Sequence, residues 1–416
     1  MRPLRIGILG LNYAPEPTGI APYTADFASG LNERGHEVSV ITGYPHYPQW
    51  SVDPRYGGTT LHEVIDGVPV TRLRHVVPSG AGAAGRVRME ASFGARLVTA
   101  AWPEVDLLVC VSPALLATGM ASLRARVSAR FTPIGIWVQD LYGPGASETG
   151  LVGSRGARWT ATLEGRILRS ADSVVVAHEQ FQQQLVGRYS LDPERVVVIR
   201  NWTHLSVVPK VDRDCVRARL GWAQDEIVVL HTGNMGVKQE LDNVVEAAKL
   251  VDQQSLRVRF LLVGDGNRRT HLEGAARGVR SIEFHRPYPQ GQYAEALAAA
   301  DVLLVNEKRG LSQMSIPSKL TSYFSSGTAI LAATDAGSIT RREVERSGAG
   351  VAVAAGDPHA LLDGVLGLAA NPGRAAAMGR RGVEYVSDAL TRTAALDRFE
   401  AWAHATVASH SERRRR

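Results

Sequence analysis

Residues Ile227–Gly266 read IVVLHTGNMGVKQELDNVVEAAKLVDQQSLRVRFLLVGDG, and this stretch decides the fold. Ile227–Leu230 is a short apolar run of the length of a buried strand. A glycine-bearing turn follows at Gly233, Asn234, Met235 and Gly236. Leu241, Val244, Val245 and Ala248 then recur at i, i+3, i+4 and i+7, the spacing of one helix face. A second apolar run, Phe260–Val263, ends in Gly264-Asp265-Gly266. Strand, turn, helix, strand and turn make a βαβ unit, which predicts a parallel sheet. Ligands of such sheets bind beyond the carboxyl ends of the strands, where both glycine turns fall.

A glycine turn that opens a helix offers unpaired N–H groups and a positive dipole end to an anion. Lys238 would add a full charge, and a diphosphate is the expected guest. The other reading is that these glycines serve only tight turns. The pattern is neither GxGxxG after a first strand nor a Walker loop ending in GK[ST], so a dinucleotide dehydrogenase or a P-loop ATPase is not indicated.

The chain has 416 residues, which favours two domains. Its composition is globular, 44% hydrophobic and 21% charged, and 41 glycines suit many strand-to-helix turns. Part of the net charge of +6 is the run Arg413–Arg416. That run reads as a solvated end or as a weak attraction to anionic lipid. No aromatic-basic patch accompanies the charge, so no nucleic-acid partner is expected. Cys110 and Cys215 have no metal-ligand spacing, and a reducing cytoplasm is the simplest setting. No signal peptide is expected ahead of the first strand, and no apolar run approaches the roughly 20 residues of a membrane span.

The first half repeats the βα rhythm. Strand Ile6–Leu9 leads into the loop Gly10–Gly19, and a helix carries Tyr23, Phe27 and Leu31 to a cap at Gly35. Strand Glu37–Thr42 delivers GYPHYPQW, residues 43–50. Tyr44, His46, Tyr47 and Trp50 there suit sugar stacking and hydroxyl recognition, or plain loop packing. Further strands are expected at Val68–Leu73, Asp106–Val111, Ile134–Gln139, Ser173–Ala177 and Val196–Ile199. Helices are expected at 86–101, Leu115–Arg130, Arg155–Arg169 and Phe181–Val186. Asp140 stands at a strand's carboxyl end, either as a partner of substrate hydroxyls or in an Asx turn. His178 stands at another, as a catalytic base or as a strand-end residue. Thr203–Arg213 has no clear period and reads as a linker. In the second half, strands are expected at Ile282–His285, Val302–Val305, Ala329–Ala333 and Val351–Ala354. The loop Asn306–Lys319 runs into a helix start, a further anion site. Leu396, Phe399, Trp402 and Ala403 mark a closing helix. The fold class is α/β, two Rossmann-like doubly wound domains facing across a cleft. Their bounds are 1–203 and 214–387, with a linker at 204–213 and a helix at about 388–410 that packs back on the first domain.

The chain resembles the retaining family-4 glycosyltransferases of GT-B fold, over nearly its whole length. YAPEPTGIAPYTADFASGLNERGHEVSVIT is similar to the family's opening strand, acceptor-side loop and first helix. WVQDLYG, VIRNW, GNMGVKQELDNVVEAA, LLVGDG and PSKLTSYFSSG are similar to the exopolysaccharide and O-antigen (colanic-acid-type) branch. The resemblance implies a nucleoside-diphosphate-sugar donor in the C-terminal domain and an acceptor in the N-terminal one. It puts the diphosphate at Gly233–Gly236 with Lys238, the base and ribose near Gly264, Asp265 and Gly266, and a phosphate cap at Ser318 and Lys319. The acceptor side would include Glu16, Thr18 and Gly19. Many members carry two glutamates eight positions apart, and these fall here on Met314 and Ser322. Ser322 would be a weaker partner for the ribose hydroxyls.

The reaction implied is sugar transfer to a hydroxyl of a glycan or polyprenyl-diphosphate-linked acceptor, with retention and no metal or other cofactor. The leaving diphosphate would be stabilised by the Gly233–Gly236 backbone, Lys238 and the Ser318/Lys319 helix start. Asp140 or His178 would assist the acceptor hydroxyl. A catalytically degenerate binding subunit and a UDP-sugar 2-epimerase are the alternatives. The protein is expected in the cytoplasm. Peripheral contact with an anionic membrane, through the basic stretch around Arg86, Arg88 and Arg96, is a further expectation, against a packed rim helix.

Overall fold

The computed structural model describes residues 2–17, 19–47, 49–79, 82–112, 114–127, 132–141, 154–203, 211–310 and 319–415. The chain forms two compact units, Met1–Asn201 with Thr393–Arg416, and Trp202–Arg392.

The strands of the first unit are β1 (Arg5–Gly10), β2 (Glu37–Gly43), β3 (Thr60–Ile65), β4 (Val68–Leu73), β5 (Leu107–Ser112), β6 (Ile134–Val138), β7 (Ser173–Val176) and β8 (Val196–Val198). They form one sheet in the order β3-β4-β2-β1-β5-β6-β7-β8. Its pairs are parallel except that β3 runs antiparallel to β4. Sequence reading misses β3, because only every second residue of it is even partly buried and it is the edge strand. The helix Ala21–Glu33 buries Tyr23, Phe27 and Leu31 and ends before Gly35, whose φ of +86° favours glycine.

The second unit contains β9 (Ile227–Asn234), β10 (Val258–Asp265), β11 (Ile282–His285), β12 (Val302–Asn306), β13 (Ile330–Ala333) and β14 (Gly350–Val353). Their order is β11-β10-β9-β12-β13-β14, and the pairs are parallel. Taken in chain order this is 3-2-1-4-5-6, the doubly wound Rossmann arrangement. The strand order reverses between β9 and β12, as it does between β1 and β5 in the first unit. Both sheet faces are covered: Val229, Phe260 and Leu304 belong to one apolar cluster, while Val228, Leu261 and Leu303 belong to the other.

The C-terminal helix Arg392–Arg415 belongs to the first unit. Its Phe399 ring lies 4.6 Å from Phe27 and 4.9 Å from Trp137. Trp402 donates its indole N–H to Ser173 Oγ at 2.8 Å. A Cβ on Gly135 would sit 2.3 Å from the Trp402 ring, so the glycine in β6 is the indole's seat. Arg34 ties the helix through Asp397 at 2.7 Å and Glu400 at 3.0 Å. The arginine run is helical as far as Arg415, not a free tail, and Arg413 pairs with Asp172 at 2.8 Å.

Trp402→Ala removes a buried ring and leaves Ser173 without its donor. We expect a loss of about 3–5 kcal/mol, the range for large aromatic truncations, read as a lower urea midpoint of the first unit.

Candidate functional site

Each unit brings chemically active residues to the carboxyl ends of its strands, beside the point where strand order reverses. In the second unit β9 and β10 pair to their last residues, Gly233 with Gly264 and Asn234 with Asp265. A Cβ on Gly264 would lie 1.8 Å from the Gly233 carbonyl oxygen, and one on Gly266 would lie 2.5 Å from the Met235 oxygen. These glycines therefore allow close backbone approach, and the strand end at Gly233 and Asn234 stays exposed.

The expected turn-to-helix anion cradle is corrected here. The helix opens at Asp242, not at the glycine turn; a short 3₁₀ turn, Val237–Gln239, intervenes, and Glu240 has φ of +41°. The Met235 side chain is fully buried in the core. Its N–H donates to the Asp265 carbonyl at 2.8 Å and its carbonyl accepts from Arg268 N at 3.0 Å, so Met235 offers no free N–H to an anion. The Gly236 N–H donates to Gln239 Oε1 at 3.1 Å. Lys238 is half-buried, and its ammonium makes no ion pair among the described residues. Asp265 is exposed; one oxygen accepts from Gly266 N at 2.8 Å and the other lies 3.3 Å from Arg286.

Lys319 reaches the same strand end from the far side. Its Nζ lies 3.1 Å from His231 Nε2, and its Cε 3.6 Å from where a Gly233 Cβ would stand. His231 is fully buried in β9, with Nδ1 3.2 Å from the Leu304 carbonyl. Burial and then the neighbouring Lys319 charge hold its pKa well below the usual value. The neutral ring donates from Nδ1 and accepts at Nε2. Burial also lowers the Lys319 pKa to about 7, against the opposing pull of Glu307. Ser322 hydrogen-bonds Tyr293, whose hydroxyl is 3.4 Å from Thr232 Oγ1. The Thr232 N–H donates to Tyr323 Oη at 2.9 Å. Sequence reading missed His231, Tyr293 and Tyr323. The one available signal was the imidazole that ends the apolar run of β9. Ser318 and Met314 lie outside the described residues.

In the first unit Glu16 is buried. Its Oε1 accepts from His46 N at 2.8 Å and Tyr47 N at 2.9 Å, and its Oε2 from Asn12 Nδ2 at 2.8 Å. Glu16 thus organises the aromatic loop from beneath, whereas the sequence reading put it against the acceptor. Tyr44 is also buried, its hydroxyl donating to the Gly57 carbonyl at 2.6 Å, so it packs the loop and is not exposed for stacking. Tyr47 and Trp50 are half-buried with ring centroids 5.9 Å apart, and the Arg86 guanidinium lies 5.7 Å from the Trp50 centroid. His46 lies 5.0 Å from the His75 ring. Burial and then His46 lower the His75 pKa to about 4, so His75 is neutral. Asp140 follows β6, half-buried, and its charge acts on the Tyr47 hydroxyl. Gly19 is exposed with φ of +70°, and Thr18 lies outside the described residues. His178 caps the helix Glu179–Tyr189, its buried Nδ1 accepting from Gln180 N at 3.0 Å. That use of the ring is structural and corrects its reading as a base.

Among the described residues His36, Glu400 and His404 bring ligand-type atoms within 4.8 Å of one another. His36 Nδ1 accepts from Leu4 N at 3.1 Å, so its proton is on Nε2 and no lone pair faces the cluster. Arg34 holds Glu400, and the positive charges of Arg2 and the N-terminus act on His404. The cluster fastens the C-terminal helix and does not suit a cation.

Residues 18–202 match the family model of the glycosyl transferase 4-like domain, and residues 226–371 match that of glycosyl transferases group 1. A putative colanic acid biosynthesis glycosyl transferase, WcaI of Escherichia coli, is 29% identical over 337 residues, 78% of this chain and 82% of that one. Among solved structures, sucrose-phosphate synthase of Thermosynechococcus elongatus superposes with a TM-score of 0.75 at 18% identity, covering 97% of this chain and 100% of the other. HepE of Anabaena, in complex with UDP-glucose, gives 0.70 at 16% identity, covering 97% and 99%. The architecture of two doubly wound domains is that of these GT-B structures.

Glu16→Ala leaves the His46 and Tyr47 N–H groups unpaired. A stability loss of about 3 kcal/mol is expected, with a smaller loss for Glu16→Gln, read from thermal or urea unfolding.

Proposed function

The chain is a glycosyltransferase of GT-B fold that joins a 4-like domain to a group 1 domain, and from that premise we propose that it moves a sugar from a nucleoside diphosphate to a glycan or lipid-linked hydroxyl. The observation that carries this reading is the exposed end of β9, Gly233 and Asn234, flanked by two lysines without carboxylate partners within ion-pair distance among the described residues. The second unit binds the donor and the first the acceptor. As the glycosidic bond breaks, negative charge grows on the leaving diphosphate. Lys238 and Lys319 stabilise that charge more in the transition state than in the ground state. Departure of the diphosphate with front-face attack gives retention. Tyr47 and Trp50 contact the acceptor sugar, Gly19 borders them, and Asp140 orients the attacking hydroxyl. Asp265 and Ser322 lie on the nucleoside side.

The WcaI relative supports a place in bacterial polysaccharide or glycoconjugate synthesis. The UDP-glucose complex of HepE supports a sugar nucleotide as donor. The epimerase and binding-subunit alternatives are set aside, because both domain matches and the relative are glycosyltransferases. No helix among the described residues is long and apolar enough to cross a membrane. A lipid-linked acceptor is instead met at the bilayer surface, by the helix Ala83–Thr99. Val87 is exposed on it between Arg86 and Arg88.

Three measurements test this reading. A thermal-shift screen with UDP, GDP, ADP, TDP and CMP should give a clear rise with one base; no rise with any would count against a donor site. Lys238→Ala should lower kcat/KM by about 2–4 kcal/mol in ΔΔG‡ with an unchanged Tm; unaltered turnover would remove Lys238 from the mechanism. Co-sedimentation with anionic vesicles should fall when Arg86 and Arg88 become alanine, and salt-insensitive absence of binding would end the membrane proposal.

A further inference from the structure

We propose that Lys319 rests as a neutral amine against the His231 imidazole and takes up one proton when the diphosphate of the donor arrives beside Gly233. The inference rests on the donor site proposed above and deepens it.

Geometry carries it. The Lys319 side chain is half-buried, while Gly233 beside it is exposed and has no side chain to screen it. The amine's hydrogen-bond partner is His231 Nε2 at 3.1 Å, a neutral acceptor. The Leu304 carbonyl, 3.2 Å from Nδ1, favours the tautomer with its proton there, and burial is the main cause that disfavours a second proton on the ring. Among the described residues the titratable groups around the pair are few. His231 comes from β9 and Glu307 from the segment after β12; Tyr323 and Tyr293 bring their hydroxyls to Thr232, next to His231. Glu307 accepts from Thr340 Oγ1, and its charge pulls the Lys319 pKa up against the larger effect of burial. Burial without a paired carboxylate favours the uncharged amine, and the lowering of its pKa to about 7 agrees.

An incoming diphosphate supplies the missing counter-charge. The proton comes from solvent, and no bond to carbon or phosphorus changes. Because the complex binds more protons than the free protein, affinity falls as pH rises from the free value of the amine toward that of the complex. His231 acts as a positioning residue: it holds the amine at the strand end in both protonation states.

The test is isothermal titration of the full-length protein with UDP, and with GDP if UDP does not bind, at pH 8 in HEPES and in Tris. The terminal phosphate, with its second pKa of about 6, is fully ionised there. The difference in heat between the buffers should give an uptake of about 0.9 proton per nucleotide, since about nine in ten free amines are neutral one unit above their midpoint. Kd should weaken by up to about tenfold per pH unit above 7. Lys319→Met should bring the uptake to zero and flatten the pH profile. His231→Leu should weaken binding, and His231→Gln, which keeps an acceptor, should recover it with the uptake intact. Tight nucleotide binding with uptake below about 0.2 proton, or uptake that survives in Lys319→Met, overturns the proposal and leaves the donor site standing. No binding of either nucleotide at any pH overturns the donor site and this proposal with it.

Discussion

The backbone contact between Gly233 and Gly264 is the constraint on which the second unit's site depends. The two strands pair to their final residues because Gly264 carries no Cβ. A side chain at 264 would strike the Gly233 carbonyl and part the two strands. Gly233 has φ of +107°, which favours glycine, and the Lys319 side chain lies against it at ordinary contact distance. This pair of glycines therefore ends the sheet in an exposed backbone edge beside the Lys319 amine. The two sequence readings of these residues, tight packing or anion binding, are not rivals: the packing makes the open edge.

Parallel order adds position to that contact. With β9 first and β12 fourth, their flanking loops diverge to opposite sides and leave a gap at the carboxyl ends. His231 and Gly233 come from one side of the gap, and Glu307 and Lys319 from the other. Nothing in local sequence unites residues 231 and 319. Only the order of strands does so, and that order follows from the βα rhythm and right-handed crossovers.

The parts legible in the sequence are those set by period and length. Ile227–Leu230, Phe260–Val263 and the Tyr23-Phe27-Leu31 stripe all fall within strands or a helix of that type. The sequence reading ended the first of these strands too early, because His231 and Thr232 are polar. In the structure both are buried, and tertiary partners satisfy them: the Leu304 carbonyl and the Tyr323 hydroxyl. Glu16, Tyr44 and His178 share a different failing. Each is a polar group in a loop at a ligand-binding end, which suggests contact with substrate. Each instead satisfies the protein's own backbone, and loop backbone that lacks a ladder must find such partners. Composition cannot distinguish a side chain that faces ligand from one that holds up the loop beneath it.

Ser322 and Lys319 are best understood together. Many relatives by resemblance have a glutamate where Ser322 stands, three positions after Lys319 and so on the same helix face. A carboxylate at that spacing would share its charge with the lysine and keep it protonated. Serine supplies a hydroxyl that bonds Tyr293 and carries no charge. Lys319 is then left with a neutral imidazole as its direct partner and only the more distant Glu307 carboxylate. On the donor site proposed above, absence of the glutamate would weaken one contact to the nucleoside and leave the Lys319 amine without a carboxylate at that position. If the proposed donor site holds, the departure from the family pattern replaces a lysine paired with a carboxylate by one whose counter-ion is the incoming diphosphate.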